Sequence, residues 1–219
     1  MPPRTLAQRL SAHNRDRKWR LFLQEITPTE SMRILDVGYS AKEFSQVDNY
    51  IEKHYPFPWR LTALGIDPVQ EFSDRYQGVH TVSYDGGIFP FTDKQFDVVW
   101  SNAVLEHVGG TDKQLLFLKE IARVGRRAFI TTPNRYFPIE LHTRTPLLHY
   151  FPKPVLDAYL TAVGKSWATA DYMHLLSERE LRVLLSAAGI TRYRLFRNRL
   201  FGLAVDFAVV TAFDSAAMR

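Results

Sequence analysis

Cysteine is absent from the 219-residue chain, so no disulfide framework, thiolate metal site or cysteine nucleophile enters its chemistry. Long apolar runs are absent too. No stretch reaches about 18 uncharged apolar residues, and the basic N-terminal residues are not followed by an apolar run of roughly 7 to 15. These absences predict a reducing, cytoplasmic setting without export or a transmembrane segment. Zinc-finger spacing and aromatic RNA-binding motifs are missing, so nucleic acid is not an expected partner. The chain also lacks a Gly-x-Ser-x-Gly elbow and a His-Glu-x-x-His helix. Gly164-Lys165-Ser166 has Tyr159 where a phosphate loop needs glycine, and Glu140-Leu141-His142 alone is too little for a metal site, so no metal is expected.

Hydrophobic residues make up 46% and charged residues 23%, ordinary globular usage at a length that suits one sizeable core. Residues 1–219 are therefore read as a single domain. The net charge of +5 is partly clustered, with Arg4, Arg9, Arg15, Arg17, Lys18 and Arg20 at one end and Arg182 to Arg199 near the other. Such clusters fit either a solvated basic face or contact with an anionic partner.

Trp19, Phe22, Leu23 and Ile26 fall at i, i+3, i+4 and i+7, an amphipathic helix within 1–27 that Pro28 closes. Five strands are expected at Arg33–Val37, Leu61–Ile66, Val79–Ser83, Phe96–Trp100 and Arg127–Thr131, mostly apolar on both faces, as in a buried parallel sheet. Two capping boxes, Thr111 with Gln114 and Ser177 with Glu180, open helices that run to Gly125 and Gly189. Strands at about Ile190–Arg197 and Leu203–Thr211, linked through Phe201 and Gly202, should pair as an antiparallel hairpin. This alternation predicts a doubly wound α/β fold. The proline-rich stretch 133–176, helical from about Pro154 to Val163, interrupts it and is expected to form a lid or substrate-binding insertion over the site.

In doubly wound folds ligands sit beyond the carboxyl ends of the strands. Strand one ends Asp36-Val37-Gly38-Tyr39-Ser40, where Gly38 permits a tight turn. Strand two ends Gly65-Ile66-Asp67-Pro68, strand three leads to Tyr84-Asp85-Gly86-Gly87 and Phe89-Pro90-Phe91, and strand four runs Phe96-Asp97-Val98-Val99-Trp100-Ser101-Asn102 into Ala103-Val104-Leu105-Glu106-His107-Val108.

In order and spacing these segments, from about Arg33 to Pro133, resemble the class I S-adenosylmethionine-dependent methyltransferases, and more narrowly the type 11 small-molecule group. The resemblance implies a Rossmann-like, mostly parallel seven-stranded sheet, S-adenosyl-L-methionine as cofactor and a small-molecule methyl acceptor. It implies that Asp67, beside Pro68, binds the ribose, that Asp85, beside Gly86, binds the adenine amino group, and that the turn of Asp36, Gly38, Tyr39 and Ser40 holds the methionine portion. Ser101, Asn102 and His107 would border the sulfonium. An acid after a strand also serves as a helix cap, and a histidine at a helix start also caps or packs.

The family repeats glycine at alternate positions after strand one, where this chain has Ser40 and Lys42. Those side chains either crowd the cofactor or bind its carboxylate with help from the next helix. In the lid, Glu140, His142, Arg135 and Arg144 supply an acid, a base and two anion binders, or simply tie the segment down. His142 is the candidate catalytic base for a hydroxyl acceptor, since its reference pKa of about 6.5 suits that work. The lid's aromatic and basic content suggests an aromatic, lipidic or anionic acceptor. The faces of Tyr39 or Trp100 could favour a cationic sulfonium, or pack in the core. The alternative function is a catalytically degenerate protein of this fold acting as a binding or regulatory partner. A nicotinamide dehydrogenase is disfavoured, because Gly38-Tyr39-Ser40-Ala41-Lys42-Glu43 keeps only the first glycine of the required pattern.

Overall fold

The computed structural model describes residues 6–140, 145–146, 153–162, 173–200 and 202–213. Seven strands form one sheet: β1 (Ile34–Val37), β2 (Leu61–Gly65), β3 (His80–Ser83), β4 (Phe96–Asn102), β5 (Gly125–Pro133), β8 (Tyr193–Leu200) and β9 (Leu203–Ala212). Their spatial order is β3-β2-β1-β4-β5-β9-β8. Strands β1 to β5 pair in parallel, while β9 runs antiparallel to both β5 and β8. The expected Rossmann-like sheet with its terminal hairpin is thus present. The winding reverses between β1 and β4, which puts a topological switch point at their carboxyl ends.

Period-two alternation sends each central strand's side chains into two cores. On one face Ile34, Trp100 and Phe129 pack with Phe22 and Ile26 of α1 (Leu6–Ile26), Ile51 of α2 (Tyr50–His54) and Phe72 of α3 (Val69–Arg75). On the other, Leu35, Val99 and Ile130 meet Phe117, Leu118 and Ile121 of α4 (Thr111–Val124) and Leu181 and Leu185 of α6 (Glu178–Ala187). β3, at the sheet edge, is the least buried of the parallel strands.

The first helix seats on the sheet through Phe22, whose ring meets Trp100 edge-on at 4.8 Å and Phe129 at 5.5 Å. Trp100 in turn stacks on Phe129 at 5.0 Å. Phe22 and Ile26 are fully buried, each worth roughly 1.5 to 3 kcal/mol. Leu23, expected on the same stripe, is instead exposed, because the seam follows i and i+4 from Phe22. Part of the basic cluster also ties this helix down: Lys18 Nζ lies 3.0 Å from the buried Asp206 carboxylate, and Arg17 donates to the carbonyl of Arg199. On β8, Arg194 and Arg197 pair with Glu25 and Glu178.

The two expected capping boxes differ in outcome. At α6 the Ser177 hydroxyl accepts from Glu180 N while the Glu180 carboxylate accepts from Ser177 N, so the box forms and Gly189 (φ 77°) ends the turn beyond. At α4 no box forms: Gly110 is the cap, and the buried Gln114 amide donates to the carbonyls of Leu105 and His174. Gly125 does not end α4 in a left-handed turn but extends directly into β5.

Within 133–176, a small sheet of β6 (Ile139–Glu140) and β7 (Thr145–Pro146) and the helix α5 (Lys153–Ala162) are described. The ends of the segment are clasped, since Asn134 bridges Leu176 and Arg135 N donates to the Leu176 carbonyl. Residues 141–144, 147–152 and 163–172 lie outside the described residues, and with them His142 and Arg144.

Candidate active site

The turn after β1 has an unusual means of support. Gly38 adopts φ 107°, and a Cβ there would overlap a methyl group of Val104, so glycine is required twice over. Beyond it the backbone loops to Asn49, itself left-handed (φ 47°). The Asn49 side chain accepts from Ser40 N at 2.9 Å and donates to the Ser40 carbonyl at 2.8 Å. The next amide, Ala41 N, donates to the Asp67 carboxylate at 2.9 Å. Asn49 and Asp67 thus hold the loop's shape. The Ser40 hydroxyl donates to the Lys42 carbonyl, and α2 begins only at Tyr50.

Tyr39 is buried, its ring 4.4 Å from that of Phe72 and its hydroxyl donating to the Asp67 carbonyl at 2.6 Å. A Cβ on Gly65 would come within 2.8 Å of this ring, so Gly65 exists to admit it. Trp100 is likewise enclosed by Trp19, Phe22 and Phe129. Both rings pack in the core on this face of the sheet.

Asp67 and the exposed Pro68, which precedes α3, therefore stand beside the turn of Gly38. Asp85 is exposed next to Gly86 (φ 86°), and its carboxylate accepts from Gly87 N at 2.9 Å, an Asx turn that fixes its direction. Behind it Glu120 accepts from Phe89 N while Arg123 donates to the carbonyls of Phe89 and Phe91, so α4 anchors the Phe-Pro-Phe turn. Arginine hydrogen bonds hold the Glu120 carboxyl below its ordinary range, and the same bonds raise the guanidinium of Arg123.

At the end of β4, Asn102 is half-buried and its carbonyl oxygen accepts from the Thr131 hydroxyl at 2.7 Å. Ser101 is wholly enclosed, and its hydroxyl has no hydrogen-bond partner among the described residues. His107 closes a 3-10 turn, Leu105–His107, rather than opening a helix. The neighbouring Glu106 accepts from the Thr132 hydroxyl. Arg135 bonds Glu180 at 2.6 Å, which clasps the start of segment 133–176 to α6.

Motif reading missed a buried polar layer between α1 and the sheet. Asp36, Glu52, Glu106 and Asp206 are all less than a tenth exposed. Arg15 of α1 stands among Asp48, Asp206, Glu106 and Asp36, and burial lowers its pKa. Lys18 and Asn14 both contact Asp206, and Asn198 donates to Asn14. A signal existed: Asp206 is a lone acid in the otherwise apolar Leu203–Ala212 strand, and a buried acid needs partners.

A family model described as a methyltransferase domain matches residues 11–193. The chain belongs to this methyltransferase family. Among solved structures it is similar to an S-adenosylmethionine-dependent methyltransferase from Aquifex aeolicus, at 18% identity over 90% of this chain and 89% of that one, with a TM-score of 0.56. A methyltransferase from Methanosarcina mazei matches at 17% identity over 87% and 95%, with a TM-score of 0.53. A possible histamine N-methyltransferase from Thermotoga maritima matches at 12% identity over 95% and 92%, with a TM-score of 0.58. No curated protein matches the sequence. The methyltransferase family implies S-adenosylmethionine as cofactor and a methyl acceptor as substrate. Among the described residues no helix is long and apolar enough to cross a membrane.

The residues present fit such a cofactor. A cationic ligand with ribose hydroxyls suits an acid fixed at the end of β2, Asp67, beside a second acid, Asp36, on β1.

Proposed function

We propose that this methyltransferase transfers a methyl group to a small-molecule acceptor on oxygen, nitrogen or carbon. The observation that supports it best is the joining of two strand ends: the Asp67 carboxylate is fixed against the turn of Gly38 by Ala41 N. An acid anchored there presents its remaining lone pairs to the two hydroxyls of a ribose. In this reading Asp36, Gly38, Tyr39 and Ser40 shape the methionine end, Pro68 and Gly86 shape the turns beside the nucleoside, and Asp85 accepts from the adenine amino group. Asn102, Ser101 and His107 border the sulfonium.

Bound there, the cofactor supplies an electrophilic methyl group on a positive sulfur. The chain's own contribution is positioning in a site shielded from water, which can lower the barrier of an in-line displacement by several kcal/mol. Asn102 is held by Thr131 and therefore offers its amide N–H groups in a fixed direction. Where the acceptor is a hydroxyl, His142 takes its proton; amine and carbon acceptors with a free electron pair need no base. Residues 1–219 act as one domain, with 133–176 as the lid.

The test is label transfer from methyl-labelled S-adenosylmethionine to a small-molecule extract fraction. The reading expects label in a small organic product and an equal amount of S-adenosylhomocysteine, both lost in Asp67→Ala. Cofactor binding with no S-adenosylhomocysteine formed from any acceptor would favour the degenerate binding protein instead.

A further inference from the structure

Glu52 is the least explained group in the buried polar layer. It sits on a five-residue helix, is 8% exposed, and neither carboxyl oxygen has a hydrogen bond of ordinary geometry among the described residues. The group it faces is the carboxyl of Asp36, 6% exposed at the end of β1. Two buried carboxylates in contact repel, and neither supplies a donor. A single proton between them removes the repulsion and provides the missing donor at once.

The surrounding charges do not remove the need for that proton. Arg15 of α1 reaches Asp36, but it is shared with Asp48, Glu106 and Asp206. Lys53 on α2 is engaged by Glu43 and by the carbonyl of Asp48, and Glu43 is also bonded by the Tyr76 hydroxyl beyond α3. Lys18 is committed to Asp206. Burial, and then Glu52, push the Asp36 carboxyl well above the usual carboxylate range, and burial pushes Glu52 up to about 7.

We infer that Glu52 is a positioning residue of the cofactor site: it shares one proton with Asp36 in the ligand-free protein, and that proton leaves to solvent when a cationic ligand seats at the end of β1. This rests on the reading that the turn of Asp36 and Gly38 receives the amino-acid end of S-adenosylmethionine. The ligand's ammonium then replaces the proton as the counter-charge for the pair. No covalent bond changes; one proton passes from the carboxyl pair to the buffer base. The sign follows from linkage. A ligand that prefers the ionised pair lowers its pKa, so affinity rises with pH through the ligand-free titration and levels off above it.

Calorimetric titration of the full chain with S-adenosylhomocysteine, in two buffers of different ionisation enthalpy, counts the protons released. The expected result at pH 6.5 is release of a large fraction of one proton, with affinity falling up to ~tenfold from pH 7.5 to pH 6. In Glu52→Gln, which leaves one carboxyl of the two, the release and the pH dependence of affinity both shrink, whereas Glu52→Asp restores part of both. Carboxyl-carbon NMR of the ligand-free protein gives a second readout, expected to show a carboxyl titrating near neutral pH that Glu52→Gln removes. No proton release by the wild type, equal release by Glu52→Gln, or no carboxyl titrating above pH 6 would each overturn the inference. Absence of binding at every pH would overturn the cofactor reading, and the linkage with it, while the NMR titration alone decides whether the pair shares a proton.

Discussion

The carboxylate of Asp67, at the end of one strand, accepts a hydrogen bond from Ala41 N, in the turn that follows the neighbouring strand, at 2.9 Å. One acid thereby fixes the backbone of the glycine turn, and in the proposed function it also binds the ribose. The same residue connects stability of the turn to binding, so its substitution should affect both.

The fit of Gly38 against Val104 is steric and can be tested as such. Gly38→Ala should destabilise the protein by about 1 to 3 kcal/mol, through the positive φ and through overlap with the Val104 side chain. Adding Val104→Ala relieves the overlap but not the backbone strain, so the double variant should recover only part of the loss relative to Val104→Ala alone. Urea denaturation of the four proteins measures both contributions.

Gln114 carries a load that its sequence context conceals. Its buried amide donates to the carbonyls of Leu105 and His174, which joins the 3-10 turn after β4 to the returning end of segment 133–176. Gln114→Ala should cost roughly 1 to 3 kcal/mol, since one buried and one half-buried carbonyl lose a donor. Thr111→Ala should change stability by less than about 0.5 kcal/mol, because no side-chain cap is formed there.

The raised carboxyl of Glu52 makes a prediction in the unliganded state. A carboxyl whose folded pKa lies above its unfolded value holds more protons when folded, so its contribution to stability is lost as pH rises from about 4.3 toward 7. Glu52→Gln should flatten that slope and gain on the wild type by on the order of 3 kcal/mol between pH 5 and pH 8. Thermal or urea unfolding at the two pH values reads the difference. A wild type no less stable at pH 8 than at pH 5 would contradict the raised carboxyl.

Much of this architecture was legible in the sequence, and the reasons are local. Strands such as Ile34–Val37 and Phe96–Asn102 carry apolar residues on both faces, and Ser177 with Glu180 forms a capping box within four residues. Failures arose where tertiary contacts outweighed local pattern. Thr111 and Gln114 have cap spacing, but two distant carbonyls claim the glutamine. Local pattern leaves Tyr39 and Trp100 open between ligand and core, and contacts with Phe72 and Phe129 pack their rings in the core. Nothing in the local sequence around Ser40 and Lys42 points to Asn49, nine residues beyond Ser40, whose side chain holds the loop. Of the acidic layer only Asp206 signals itself in the sequence, because the members come from four separate segments brought together by the fold.

The most direct measurement is calorimetric titration of the wild type and of Asp67→Ala with S-adenosylmethionine, with NAD as a control ligand. The expected result is saturable binding by the wild type, at least ~tenfold weaker in Asp67→Ala because a charged hydrogen-bond acceptor is worth roughly 1.5 to 3 kcal/mol, and no binding of NAD. Equal affinity of the two proteins for S-adenosylmethionine, or no binding by the wild type at millimolar concentration, would contradict the placement of the cofactor at the ends of β1 and β2.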